Sequence, residues 1–265
     1  MADQFVGQYG PWALVTGASS GIGTGFAEEL AARGLNLVLS ARRQDRLAAL
    51  AARLEADHGV ATRVVPGDLA DPAAPAHLAQ ACADLDVGLV VSNAGFGLKG
   101  SHEANDPATM TEMLMVNCNA PFQLAHAFVP RLRARGRGGL LLVSSIEGLM
   151  GCPYSTAYSA SKALVIALGE GLWGELAGSG VDVLTTCPGA TESEAAGKQG
   201  IDIALLHHVM PARECARLSL DALGEGPTVF PHAFYKANFD RLLDLPKRQA
   251  LAAMADGMRP KPLTA

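Results

Sequence analysis

Short runs of purely apolar residues alternate with longer stretches of helical periodicity along this chain, and that rhythm admits very few architectures. Trp12 to Thr16 reads as a strand, and Gly21 to Arg33 as a helix stopped by Gly34. Leu35 to Ser40 is a second strand, followed by an Ala/Leu/Arg helix from Asp45 to His58. Thr62 to Val65, Val87 to Val91, Leu140 to Val143 and Val181 to Thr185 repeat the strand pattern, and Thr228 to Phe230 reads as a last one. Strands apolar on both faces need cover on both faces, which a parallel sheet flanked by helices supplies. Right-handed crossovers then give a doubly wound, Rossmann-type α/β fold of about seven parallel strands, with ligands at the carboxyl ends of the strands. No linker, repeat or low-complexity segment interrupts the pattern. The reading is one domain over residues 1–265, with a substrate lid at about 190–210 and a C-terminal helical appendage at about 235–258.

Composition excludes several functions. Hydrophobic residues make up 49% and charged residues 18% of the 265, enough for a sizeable core. A net charge of -5 and the absence of a Lys/Arg-rich run leave no footprint for nucleic acid. The five cysteines are scattered without a CxxC pair, so buried free thiols in a reducing compartment are expected, with neither a metal site nor a disulfide framework. Met1-Ala2-Asp3-Gln4 opens without a basic stretch and apolar run, and no segment approaches the ~20 apolar residues of a membrane span. A cytoplasmic protein with no membrane partner is expected. The helix from Ser155 to Ala177 is apolar around most of its circumference, and its spare face is expected to meet a second subunit, the alternative being cover by the chain's own tail. The tail from Phe239 to Met258 carries apolar residues at helical spacing and is expected to pack on the body or on a partner subunit; a membrane-surface helix with basic Arg241, Lys247 and Arg248 is the alternative, against which Pro246 interrupts the run.

Thr16-Gly17-Ala18-Ser19-Ser20-Gly21-Ile22-Gly23 sits where the first strand turns into the first helix. Glycines there let backbone N–H groups at a helix N-terminus approach a pyrophosphate. Gly17, Ser19 and Gly21 also spell G-x-S-x-G, so a serine hydrolase using Ser19 stands as an alternative, against which only one strand precedes the turn. The second strand ends Ser40-Ala41-Arg42-Arg43. Ala41 offers no carboxylate for a ribose 2′-hydroxyl, whereas Arg42 can grip a 2′-phosphate, which favours NADP(H) over NAD(H). Arg43 reads as a solvated charge at a helix start.

Tyr158 and Lys162 stand four apart, one turn along one helical face. A free Tyr has a pKa of about 10, and a neighbouring ammonium typically lowers an acid's pKa by about 1–3 units. Ser144 and Ser145 follow the fifth strand, Asn93-Ala94-Gly95 follow the fourth, and Asn117 lies in the helix beyond.

Together these motifs resemble the short-chain dehydrogenase/reductase family over roughly the first three-quarters of the chain. TGASSGIG resembles its cofactor turn, Asp68 in GDLAD its adenine-contacting acid, and Ser92-Asn93-Ala94-Gly95 its NNAG. Val116-Asn117, Ser145, Tyr158 and Lys162 stand at the catalytic positions, and Cys187-Pro188-Gly189 at the turn near the nicotinamide. Ser193 stands where a Thr is usual and keeps the hydroxyl. The resemblance implies catalysis by Asn117, Ser145, Tyr158 and Lys162. It implies cofactor contacts from Gly17, Ser19, Ser20, Gly21, Ile22, Gly23, Arg42, Asp68, Leu69, Asn93, Ala94, Gly95, Tyr158, Lys162, Pro188, Gly189 and Thr191. Tyr158 would exchange a proton with the substrate oxygen and Ser145 would hydrogen-bond that oxygen. Lys162 would hold the nicotinamide ribose and lower the pKa of Tyr158, Asn117 would support an ordered water, and no metal would be needed. An NADP(H) sensor with incidental turnover is the alternative of another class.

The segments Phe96 to His102, Glu147 to Ser155 and Ala190 to Met210 are expected to wall a substrate pocket. Phe96, Leu98, Leu149, Met150, Tyr154, Ile201, Ile203, Leu205, Leu206 and Met210 make it apolar, without an evident clamp for a carboxylate or phosphate. A moderately hydrophobic carbonyl compound or secondary alcohol fits best.

Overall fold

The computed structural model describes residues 2–194 and 208–259. The apolar runs become β1 (Trp12–Thr16), β2 (Asn36–Ala41), β3 (Thr62–Pro66), β4 (Val87–Ser92), β5 (Gly138–Val143), β6 (Val181–Thr186) and β7 (Thr228–Val229). They pair into one seven-stranded sheet in the order β3-β2-β1-β4-β5-β6-β7, every pairing parallel. β7 is the shortest, adding only the pairs Thr185↔Thr228 and Thr186↔Val229 to the edge.

The helices are α1 (Ala2–Tyr9), α2 (Gly21–Ala32), α3 (Gln44–His58), α4 (Ala74–Ala81), α5 (Pro107–Leu114), α6 (Ala120–Arg135), α7 (Thr156–Glu175), α8 (Ala212–Asp221), α9 (Ala233–Leu243) and α10 (Lys247–Met258). Alternate residues of each strand point to opposite faces. Ala13, Val15, Leu37, Leu39 and Val91 therefore pack with Phe26 and Leu30 of α2 and Leu47 and Leu54 of α3. Leu14, Val38, Val90 and Leu140 pack on the other face with Leu124, Phe128 and Leu132 of α6 and Val165 of α7. Each fully buried Val, Leu or Phe among them contributes about 1.5–3 kcal/mol over its exposed state. Gly169 of α7 lies so close to Thr185 of β6 that a Cβ there would overlap the threonine hydroxyl, whereas Gly171 and Gly174 face open space.

β1 has β2 on one side and β4 on the other, so the connections leaving β1 and β4 run in opposite directions and open a crevice at their carboxyl ends. The loops after β1, β4, β5 and β6 all emerge there. A third cluster lies outside the sheet. Ile146, Met150 and Cys152 pack with Phe239 of α9 and Ala250 and Met254 of α10. The C-terminal helices thus rest on the chain's own loop after β5. Among the described residues no helix is long and apolar enough to cross a membrane, and the five cysteines are buried without a disulfide.

Candidate active site

The turn after β1 is shaped by close packing as much as by backbone freedom. Gly17 has φ of 68°, and a Cβ on it would lie 2.9 Å from both Ala94 Cα and Asn93 Nδ2. A Cβ on Gly23 would overlap the Gly17 carbonyl oxygen. Thr16 locks the neighbouring loop in place: its Oγ1 accepts from the N–H groups of Asn93 (3.0 Å) and Ala94 (3.1 Å), while Asn93 Nδ2 donates to the Thr16 carbonyl at 2.9 Å. Ser20 is the extended N-cap of α2 but makes no side-chain cap, and the first turn carries no acidic residue. Its N–H groups and dipole are left for an anion. Ile22 packs on the core beneath.

The rim of the turn is charged. Arg42 is exposed and faces Asp68 across 3.8 Å, and Leu69 is buried beside that acid. Arg43 is not the solvated charge expected from the sequence. Its guanidinium donates to the Ser19 hydroxyl (3.2 Å) and carbonyl (3.3 Å) and pairs with Glu194 at 2.7 Å. Arg46 also pairs with Glu194. Among the described residues the partner of the Ser19 hydroxyl is an arginine, which cannot act as base. His232 is elsewhere, engaged with the carbonyl of His208. Thr191 directs its hydroxyl to the Gly189 carbonyl at 3.1 Å, and Ser193 stands against Gly21. Pro188 accepts from the Ile146 N–H at 2.9 Å, joining the turn after β6 to the loop after β5.

Asn117, Ser145, Tyr158 and Lys162 converge from three elements. Residues Met115–Asn119 form a π-helical segment between α5 and α6, and this widened turn carries Asn117 in buried. Its amide accepts from the Phe96 N–H at 3.0 Å and donates to the Phe96 carbonyl at 2.9 Å and Ser161 Oγ at 3.0 Å. Lys162 is buried, donates to the Val143 carbonyl at 2.9 Å, and places its ammonium 5.8 Å from the centre of the Tyr158 ring. Ser144 braces the same helix by donating to the Lys162 carbonyl at 2.7 Å. A Cβ on Gly95 would lie 3.0 Å from Asn117 Oδ1 and 3.1 Å from Lys162 Nζ, so only glycine lets these two groups approach the loop. Ser145 accepts the Glu147 N–H at 3.2 Å and hydrogen-bonds the Tyr158 phenol.

Burial pulls Lys162 down to about 8. Tyr158 departs from the sequence expectation: burial first, then the Glu147 carboxylate, hold its phenol above the usual tyrosine range, outweighing the Ser145 hydrogen bond. It is therefore protonated at neutral pH.

The loops expected to wall the substrate pocket contain a feature that local patterns concealed. Lys99 donates to both carboxylate oxygens of Glu147 (2.7 and 2.9 Å) and to Ser155 Oγ (2.9 Å), bridging the loops after β4 and β5. The Gly100 N–H adds a bond to the Tyr154 carbonyl at 2.9 Å. Tyr154 has φ of 59°, a left-handed conformation costing a non-glycine residue about 1–3 kcal/mol. Leu149 and Met150, expected to line the pocket, pack toward the C-terminal helices. Ile201, Ile203, Leu205 and Leu206 lie outside the described residues. Among the described residues no group of three or more His, Cys, Asp or Glu is placed to hold a metal ion.

A family model for short chain dehydrogenases matches residues 11–203. The 7beta-hydroxysteroid dehydrogenase of Clostridium sardiniense is 34% identical over 184 residues, covering 69% of this chain and 70% of that one. Among solved structures, a short-chain dehydrogenase from Sphingobium yanoikuyae in complex with NADPH superposes with a TM-score of 0.81 at 34% identity, over 96% of this chain and 98% of that one. The bulky-bulky ketone specific alcohol dehydrogenase from Comamonas testosteroni gives a TM-score of 0.75 at 29% identity, over 97% of each chain. With its sheet order, its glycine turn and a family match across most of its length, this chain belongs to the short-chain dehydrogenase family of NAD(P)-binding oxidoreductases.

Proposed function

We propose that the protein reduces a bulky, apolar ketone to a secondary alcohol with NADPH, and catalyses the reverse oxidation with NADP+, using Tyr158 as proton donor and acceptor. The observation that carries this reading is the convergence of the Ser145 hydroxyl, the Tyr158 phenol and the Lys162 ammonium beside the glycine turn. The substrate class is supported by the activities named for the similar proteins, a hydroxysteroid dehydrogenase and a bulky-ketone alcohol dehydrogenase.

The residues fit a dinucleotide: an uncapped helix N-terminus free of acidic side chains faces a turn whose glycines leave no room for a Cβ. Gly17, Ser19, Ser20, Gly21, Ile22 and Gly23 would hold the pyrophosphate. Asp68 and Leu69 would flank the adenine, Asn93, Ala94 and Gly95 would lie along the middle of the molecule, and Pro188, Gly189 and Thr191 would border its nicotinamide end. Arg42 would meet the 2′-phosphate, with Arg43 beside it on Ser19. When bound, the cofactor supplies or takes up the hydride.

The chain's own groups handle the proton. Tyr158, protonated at neutral pH, is set to donate to the carbonyl oxygen of a ketone. Ser145 receives the Glu147 N–H on its oxygen, so its own hydrogen is available to the Tyr158–substrate oxygen pair. Lys162 faces the ring as a cation and stabilises the phenolate left when the proton departs. Asn117 fixes the Phe96 backbone and α7, holding the loop and the lysine in register.

We also infer a cytoplasmic homodimer or homotetramer. The exposed side of α7 carries Ala163, Ala167, Gly171 and Trp173, the last 46% exposed, which supports burial against a second copy. Light scattering on the purified protein tests the assembly. NADPH oxidation measured over ketones of increasing bulk, with wild type and Tyr158→Phe, tests the activity. The variant should lose turnover and keep NADPH binding, whereas a cofactor sensor would bind NADPH and turn over none of the ketones.

A further inference from the structure

Tyr158 is faced by charged or titratable groups from every element around it. Lys162 comes from its own helix, Lys99 from the loop after β4, Glu147 from the turn after β5, Cys152 from the loop beyond and Cys187 from the end of β6. Burial pushes both thiols up to about 12, so they stay neutral. Lys162 has a part in the proposed chemistry. Lys99 and Glu147, a cation and an anion 48 residues apart, do not.

Their placement is specific. The Lys99 ammonium stands 5.8 Å from the centre of the Tyr158 ring, the same distance as that of Lys162. It also grips both oxygens of Glu147, and Glu147 in turn donates its N–H to Ser145. Both side chains of the pair are only 21% exposed, so solvent screens them weakly. We propose that Lys99 and Glu147 are a pair of positioning residues whose opposed charges set the proton affinity of Tyr158 and bind the two walls of the substrate cleft beside it. Glu147 makes the phenolate harder to form, and Lys99, facing the same ring, opposes that effect in part. The pair also holds the Glu147 backbone where its N–H orients the Ser145 hydroxyl.

This inference rests on the reading of Tyr158 as proton donor, and its test separates the two. The phenolate absorption of Tyr158 is titrated in the NADP+-saturated protein as a difference against Tyr158→Phe at each pH, so no substrate is needed. Lys99→Met leaves Glu147 uncompensated and should move the Tyr158 midpoint up by about one unit. Glu147→Gln leaves Lys99 uncompensated and should move it down by about one unit. The double variant K99M/E147Q should return to within about half a unit of wild type, and Lys99→Arg, which keeps the charge, should not move it. Should Lys99→Met not fold, Glu147→Gln and the double variant still test the sign and its reversal. Midpoints that stay fixed, or that move the same way in both single variants, would overturn the electrostatic role and leave only a cross-link between loops. If Tyr158→Phe keeps full ketone turnover, the reading of Tyr158 fails, whatever the titrations give.

Discussion

Replacing Gly95 by Ala adds one methyl group between the side chains of Asn117 and Lys162. The new Cβ would stand 3.0 Å from Asn117 Oδ1 and 3.1 Å from Lys162 Nζ, where an ordinary contact needs about 3.4 Å or more. Both groups must retreat by a few tenths of an ångström, and neither is free to do so. Asn117 is held by three hydrogen bonds of 2.9–3.0 Å to Phe96 and Ser161. Lys162 is held by its 2.9 Å bond to the Val143 carbonyl. Weakening one or two buried hydrogen bonds and overfilling the space costs about 2 kcal/mol. For a chain of this size that lowers Tm by about 4–8 °C. Activity should fall more steeply, by about ten- to a hundred-fold in kcat, because the displaced ammonium is the one beside Tyr158. Calorimetry and steady-state NADPH oxidation read the two effects separately. A Gly95→Ala protein that melts within a degree of wild type and turns over normally would refute the packing described here.

Other perturbations have equally definite outcomes. Arg42→Ala should raise KM for NADPH about tenfold or more while leaving NADH nearly unchanged, and an unaltered preference would refute the assignment of the 2′-phosphate. Ser145→Ala should lower kcat by about a hundred-fold or more with NADPH affinity held within about twofold, as measured by fluorescence titration. Lys162→Met should lose turnover yet gain stability. The folded pKa of Lys162, about 8, lies below its unfolded value of about 10.4. The unfolded chain therefore binds more protons between those values, and wild-type stability rises with pH across that window. Below it the buried charge costs about 3 kcal/mol, against about 1–2 kcal/mol lost when the Val143 carbonyl is orphaned. Lys162→Met should thus melt above wild type at about pH 7, with the gap closing toward about pH 10; a variant melting well below wild type at neutral pH would contradict this.

Local pattern made most of the sheet legible. Trp12–Thr16 is a strand with the bounds its apolar run predicts, and the second strand starts one residue late because Asn36, not Leu35, pairs with Trp12. The four-residue spacing of Tyr158 and Lys162 on one helix is a sequence-local fact, and the structure sets both beside Ser145. What stayed hidden depends on contacts between distant segments. Lys99 and Glu147 meet because the loops after β4 and β5 leave adjacent strands side by side, which no periodicity in either loop encodes. Arg43 sits where a solvated helix-start charge is ordinary, yet Glu194, from a loop after β6, and Ser19 claim it. Met150 reads as pocket lining until α9 and α10 cover its other side. The direction of the Tyr158 pKa was out of reach too, because spacing reveals the cation on its own helix but neither the burial nor Glu147.

The central claim is that Tyr158 delivers a proton to a carbonyl as the nicotinamide delivers a hydride. Its most direct test follows NADPH carrying deuterium at the transferable position through a single turnover with a bulky ketone, for wild type and Tyr158→Phe. Deuterium on the carbinol carbon with wild type, and none with the variant despite bound NADPH, is the predicted result. Equal deuterium transfer by both proteins would contradict it.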